Sequence, residues 1–188
     1  PISVDREFRV IAALGKQNFP VAKAYALCTD DAVIGSAFYI MSMEEGRVFW
    51  DPTLPSQEPD ARRKIFTSKI ETLAKLHILD PEKIGLGDFG KPGNYFARQV
   101  DRWTKQYRAS ETQNIDEMEQ LIEWLPAHVP AGARDDAQVA VVHGDYRLDN
   151  MIFHATEPRV QAVLDWELST LGDPMADFTY LLMQWTMP

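Results

Sequence analysis

Two short apolar runs that each end on polar residues constrain this chain more than any other feature. Residues 139–142 lead into His143-Gly144-Asp145-Tyr146-Arg147-Leu148-Asp149-Asn150, and Met151-Ile152-Phe153 follows directly. Residues 160–164 form the second run and lead into Asp165-Trp166-Glu167. Runs this short, bounded by turn residues, read as buried strands rather than helices. A buried strand is a rigid mount, so the polar groups at its end go where the core puts them. A fold that satisfies the pattern must bring Asp145, Asn150 and Asp165, at spacings of five and fifteen residues, to the edge of one core.

That donor set suits phosphoryl transfer. One carboxylate takes the proton of an attacking hydroxyl, while an amide oxygen and a second carboxylate hold Mg²⁺ against the phosphates of ATP. Mg²⁺ keeps several waters and needs only one or two protein carboxylates, so Asn150 and Asp165 suffice as ligands and Asp145 is the expected general base. The bland alternative makes His-Gly-Asp a turn, with Asn150 and Asp165 capping local backbone. The strand-ending Asp165, with apolar flanks at both sites, argues against it. A zinc hydrolase built on His143 is disfavoured because no second histidine joins the cluster.

The remaining pattern reads as strands first and helices later, an α+β arrangement. Residues 4–14 have helical periodicity, with Ser3 as an N-cap. Residues 25–28 and 38–41 read as strands, and 60–79 as the best helix, with Ile65, Phe66, Ile70, Leu73 and Leu76 on one side. The glycines of 85–93 make that stretch irregular. Residues 94–110 and 116–125 read as helices, 126–138 as a linker, three short strands follow residue 139, and 174–184 reads as a closing helix. Composition is ordinary for 188 residues, with 45% hydrophobic and 25% charged content. The net charge of −9 argues against a nucleic-acid partner. The sequence offers neither a run of about 20 apolar residues nor a secretory leader, so no membrane partner is expected. The single Cys28 excludes an internal disulfide framework, and a cytoplasmic, reduced setting is the expectation. Both ends read as cuts, which leads us to expect a stretch of a longer protein.

The spacing of His143, Asp145 and Asn150 is similar to the H-x-D-x-x-x-x-N catalytic loop of kinases. Together with Leu164-Asp165-Trp166-Glu167 and Leu171-Gly172-Asp173-Pro174-Met175-Ala176-Asp177, it resembles the aminoglycoside phosphotransferase and choline kinase-like superfamily. Within that superfamily the similarity is to the branch associated with acyl-CoA dehydrogenases. Supporting stretches are residues 5–10, 35–41 and 73–77, with Arg98-Gln99 and Arg102-Trp103.

The resemblance implies a protein-kinase-like two-lobe fold. Residues 1–43 would be the remainder of the N-terminal nucleotide-binding lobe, and 44–188 a truncated C-terminal catalytic and acceptor-binding lobe. It implies Asp145 as catalytic base, Asn150 and Asp165 as Mg²⁺ ligands, and ATP as co-substrate. Glu7 would pair with a strand lysine that touches the phosphates. Ser42 and Glu44 would offer hinge groups to adenine, His143 would brace the loop, and Asp177 would hydrogen-bond its backbone. The chain departs from the pattern in having no glycine-rich phosphate loop or strand lysine before Glu7, and roughly 60–90 upstream residues are expected to carry them. Asp88-Phe89-Gly90 spells a kinase metal motif, but it precedes the catalytic loop and reads as a turn.

On the acceptor side, Lys91, Arg98, Arg102, Lys105 and Arg108 face a single acid, Asp101. Such a face is either a solvated cationic surface or a dock for an anionic small-molecule acceptor, a hydroxy acid or a hydroxyacyl-CoA, with Arg98 and Arg102 as its contacts. Fusion or association with an acyl-CoA dehydrogenase is a further expectation from the resemblance. A catalytically silent module that binds nucleotide or a partner is the competing reading.

Overall fold

The computed structural model describes residues 4–91, 93–133 and 138–183. Helix α1 (Val4–Gly15) buries Val10, Ile11, Ala13 and Leu14 on one face. Strands β1 (Ala24–Cys28) and β2 (Phe38–Met41) pair antiparallel, with Ala24 opposite Met41 and an irregularity between Ala24 and Ala26. The hairpin lies against α1, where the Phe8 and Tyr39 rings meet at 6.1 Å. Helix α2 (Pro59–His77) is the longest, and α3 (Tyr95–Ser110) and α4 (Asp116–Ala127) follow. The motif region contains β3 (Ala140–Val142), β4 (Met151–Phe153), β5 (Val160–Val163), β6 (Thr170–Gly172) and α5 (Met175–Met183). Each sheet has two strands: β1 with β2, β3 with β6, and β4 with β5, all antiparallel.

One hydrophobic core joins these pieces, running from Val10, Leu14 and Phe19 through Leu73 and Leu76 to Val141, Met151, Phe153 and Trp166. Trp166 meets Phe19 edge-on at 5.9 Å and donates its indole N–H to the Val163 carbonyl at 3.0 Å. The indole thereby fixes the start of the segment that holds Asp165. Val163 N–H reaches the Pro20 carbonyl at 2.8 Å, and Arg47 bridges Phe153 by backbone bonds of 2.8 Å each way. The small sheets are thus stitched to both neighbouring segments. Among the described residues no helix is long and apolar enough to cross a membrane.

The structure corrects the sequence reading at three places. Four strands, not three, follow residue 139. Thr170–Gly172 is too short to show alternation, yet it pairs residue for residue with β3. Helix α4 continues through Pro126 to Ala127, because a proline in the last turn removes only one donor near the end of the ladder. On α2 the buried face runs through Ile65, Lys69, Thr72, Leu73 and Leu76, while Ile70 is 45% exposed. Lys69 therefore takes the core position that apolarity assigned to Ile70. The expected cap at Ser3 and the end of the last helix at residue 184 lie outside the described residues.

Candidate active site

The site begins with a buried carboxylate. Asp177, in the first turn of α5, is 1% exposed. Its two oxygens accept the backbone N–H groups of His143 and Gly144, each at 2.8 Å, and Oδ2 lies 3.1 Å from His77 Nε2 at the end of α2. One side chain thereby joins α2, α5 and the loop after β3. Gly144 allows the turn: its φ is +89°, and a Cβ there would sit 2.9 Å from the Leu168 carbonyl oxygen.

His143 is fully buried, and burial lowers its pKa, so the ring is neutral. Its Nδ1 accepts the Asp145 N–H at 3.2 Å, which leaves Nε2 to donate to the Leu164 carbonyl at 2.8 Å. The imidazole ties the Asp145 segment to the Asp165 segment. A second tie runs alongside, from Leu164 N–H to the Asn150 carbonyl at 2.9 Å.

Asp145 is half-buried and has partners on both oxygens. Asn150 Nδ2 lies 2.9 Å from its backbone carbonyl and 2.9 Å from its Oδ2. The Tyr180 hydroxyl donates to Oδ1 at 2.8 Å, and Arg147 Nε stands 3.6 Å from the same oxygen. With its amide nitrogen turned to Asp145, Asn150 has its carbonyl oxygen left for a cation. Asp165 is exposed, and its φ of +61° puts a non-glycine residue in the left-handed region, the kind of local strain that persists where surrounding structure over-determines it.

Glu7 reaches the same place from α1. It accepts hydrogen bonds from the Tyr39 hydroxyl and from the Trp166 backbone N–H. Burial raises its pKa, and the charges of Asp165 and Glu167 raise it further. Tyr39 is pushed up to about 12, first by burial and then by Glu7. Three acids this close repel one another. The oxygen-only donors of Asn150 and Asp165 fit Mg²⁺ on chemical grounds, and two protein ligands leave room for water and phosphate oxygens. Among the described residues no group of three or more His, Cys, Asp or Glu is arranged to hold a metal by itself.

Other expected residues make contacts of their own. Ser42 closes the β1–β2 hairpin: its Oγ accepts Lys23 N–H at 2.7 Å and donates to Glu44 Oε1 at 2.6 Å. Arg98 Nη2 donates to the Lys91 carbonyl at 2.7 Å, and the Arg102 guanidinium lies 5.8 Å from the Trp103 ring centre. Lys105 pairs with Asp101, and Arg108 with Glu111 and Glu119, so those cations have local partners. Asp88 pairs with Arg9, while Phe89 is buried beneath Arg6.

Two cavities meet at α3. The first, about 520 Å³, has Phe96, Trp103, Gly144, Leu168 and Tyr180 in its wall. The second, about 500 Å³, has Arg6, Lys91, Arg98 and Arg102 facing Glu7 and Glu167. Tyr95, Gln99, Arg102 and Leu168 belong to both. Sequence reasoning missed Tyr180 and Tyr39. Tyr180 had a usable signal, because it lies three residues after Asp177 and so on the same helical face.

The profile described as "Phosphotransferase enzyme family" matches residues 1–188. The chain is 47% identical to mouse acyl-CoA dehydrogenase family member 10, covering 99% of this chain and 17% of that protein. It is 48% identical to the probable acyl-CoA dehydrogenase IBR3 of Arabidopsis thaliana, covering 97% of this chain and 23% of that one. It therefore spans only about a fifth of these relatives. A solved structure from Ralstonia eutropha JMP134, provisionally named an aminoglycoside phosphotransferase, superposes with a TM-score of 0.93 at 55% identity, covering all of this chain and 56% of that one. An aminoglycoside-3'-phosphotransferase of type VIII shares the fold at a TM-score of 0.68 and 19% identity, covering 97% of this chain and 64% of that one.

Proposed function

Since this chain belongs to the phosphotransferase enzyme family, whose kinase-like α+β fold it shares, we propose that it forms the catalytic part of an ATP- and Mg²⁺-dependent kinase acting on a hydroxyl of a small molecule. The observation that carries the reading is the junction at Leu164. There His143 and Asn150 fasten the Asp165 segment beside Asp145, whose carboxylate is steered by Asn150 and Tyr180.

In this reading Asp145 receives the proton of the acceptor hydroxyl as that oxygen attacks the γ-phosphorus and ADP leaves. A base must stand within hydrogen-bond reach of that hydroxyl, and the Tyr180 hydroxyl 2.8 Å from Oδ1 supports the reading that this oxygen can take a hydroxyl partner. Asn150 and Asp165 would hold Mg²⁺, which supplies charge neutralisation for the transferring phosphoryl group. Asp177 and His143 keep the loop rigid from below. Glu7 would turn to a phosphate-contacting lysine, Ser42 and Glu44 would present hinge groups to adenine, and residues 1–43 would belong to the nucleotide lobe.

The acceptor would be anionic, a hydroxy acid or hydroxyacyl-CoA. Four cations line the cavity beside the acids, and Arg102 is shared with the more apolar cavity next to Tyr180. A polycationic acceptor would meet repulsion there. The curated relatives carry acyl-CoA dehydrogenase names and are far longer than this chain, which supports fusion to such a domain. A silent nucleotide-binding module is the alternative, and one experiment separates the two. With the full-length protein, ADP formation from Mg-ATP is followed in the presence of a panel of hydroxy acids and their CoA esters. Asp145→Asn is expected to lower turnover by about 10²–10⁴-fold while ATP binding persists. Wild-type turnover in the variant eliminates Asp145 as the base, and ATP binding without turnover in the wild type favours the silent module.

A further inference from the structure

Asp145 presents a puzzle for a general base, because each carboxylate oxygen already accepts a hydrogen bond. Asn150 Nδ2 takes Oδ2 at 2.9 Å, and the Tyr180 hydroxyl takes Oδ1 at 2.8 Å. The two partners differ in what they can do. Asn150 holds the backbone carbonyl as well as the carboxylate of the same residue and so is part of the loop's frame. Tyr180 comes from another element, α5, and is only half-buried. It stands in the wall of the 520 Å³ cavity together with Gly144, the residue before the base.

Its position on α5 is not accidental in energetic terms. Asp177, one helical turn earlier, is locked onto the backbone of residues 143 and 144, so the helix cannot slide relative to the loop without breaking buried charge-assisted bonds. Tyr180 is carried on that anchor to Oδ1. Burial, followed by the Asp145 hydrogen bond, raises its pKa, so the group stays a protonated phenol that donates to the carboxylate without taking its place as a base. Arg147 faces the pair from the loop, and no other charged group makes a hydrogen bond or ion pair with the Asp145 carboxylate among the described residues.

Resting on the reading of Asp145 as the base, we propose that Tyr180 is a positioning residue that holds the place of the acceptor. Its hydroxyl occupies the spot on Asp145 Oδ1 that the substrate hydroxyl must take, and it yields only to an acceptor bound in the cavity. While it is in place, the position it holds on Oδ1 is closed to a water molecule, which would have to displace the phenol to pass its proton there. The reaction suppressed is hydrolysis: a water oxygen bonds to the γ-phosphorus, the bond to the β-bridging oxygen breaks, ADP leaves, and the water proton goes to Asp145. Tyr180 thereby couples ATP use to acceptor binding through one hydrogen bond.

Tyr180→Phe removes the hydroxyl and keeps the ring in the cavity wall. Phosphate release from Mg-ATP, with and without acceptor, is measured for the full-length wild type, Tyr180→Phe, Asp145→Asn and the double variant. Tyr180→Phe is expected to raise acceptor-free hydrolysis by about three- to tenfold, the scale one net hydrogen bond sets. Its acceptor-dependent stimulation should shrink by the same factor while KM for ATP is unchanged. The double variant should fall back to the Asp145→Asn level. Hydrolysis at or below wild type in Tyr180→Phe, with the acceptor stimulation undiminished, overturns the proposal. If instead Asp145→Asn hydrolyses ATP like the wild type, it is the assignment of the base that fails.

Discussion

Between β3 and the first turn of α5, the loop that carries Asp145 is held by the Asp177 carboxylate, the His143 ring and the Asn150 amide, each with two or more partners. Helices α3 and α4 are put together differently. Neither has a buried residue among those described, and Trp103 and Trp124 stand 51% and 53% exposed. Their contacts are surface ion pairs such as Arg108 with Glu119, and a Trp124–His128 stack at 4.0 Å. On the proposed reading, the contrast separates two tasks. Proton transfer demands that a few oxygens be held to a fraction of an ångström, which low-mobility buried hydrogen bonds achieve. An acceptor wall needs only shape and charge, so it can be built from exposed side chains on a helix that the core does not dictate.

Three substitutions break or sharpen this contrast. Asp177→Ala should have the largest effect. It leaves the His143 and Gly144 N–H groups buried without an acceptor and should cost about 3–5 kcal/mol in a denaturant titration. A loss under about 1 kcal/mol would show that the carboxylate is not the anchor of the loop. Lys69→Met comes next, with the opposite sign. Lys69 is fully buried, its Nζ has no hydrogen-bond partner among the described residues, and burial lowers its pKa to about 8 despite the nearby charge of Asp149, with Arg147 adding to the lowering. The unfolded chain binds this proton up to about pH 10.4, so the native state is penalised in full below pH 8 and gains stability as pH rises from about 8 to about 10.4. Methionine, similar in volume, should stabilise by about 1–3 kcal/mol at pH 7 and abolish that rise. A destabilised variant would mean that the amine has a partner the fold requires. Trp103→Ala should have the smallest effect on folding, within about 0.5 kcal/mol, and raise KM for the acceptor while KM for ATP is unchanged. A drop in stability of several times that size would place α3 within the framework.

The elements that carry the site were legible because their signals are local. Helix α1, strand β2 and the turns after β3 and β5 follow from periodicity and short apolar runs, and the pairing of Asp145 with Asn150 follows from their spacing. What escaped was set by packing across the chain. Lys69 occupies a core position because the helical stripe passes through it, 77 residues from the Tyr146 hydroxyl that donates to its carbonyl at 2.8 Å. Strand β6 exists because β3 needs an edge partner, which three residues of composition cannot announce. Tyr39 on Glu7 and Tyr180 on Asp145 are contacts between separate elements; spacing from Asp177 puts Tyr180 on the right helical face, but nothing in a tyrosine says which carboxylate it will meet.

The order of residues alone determined which atoms are available: two carboxylates and an amide, each fastened to the end of a short apolar run, in a chain with one cysteine and an excess of acids. Only the tertiary structure decided that Asn150 would spend its nitrogen on Asp145, that Glu7 would face Asp165, and that a phenol from α5 would cover the remaining oxygen. The reason is that hydrophobic burial selects which segments meet but is indifferent to direction, whereas hydrogen bonds act within about 3 Å and are settled last, by whichever polar atoms the packed core has brought face to face.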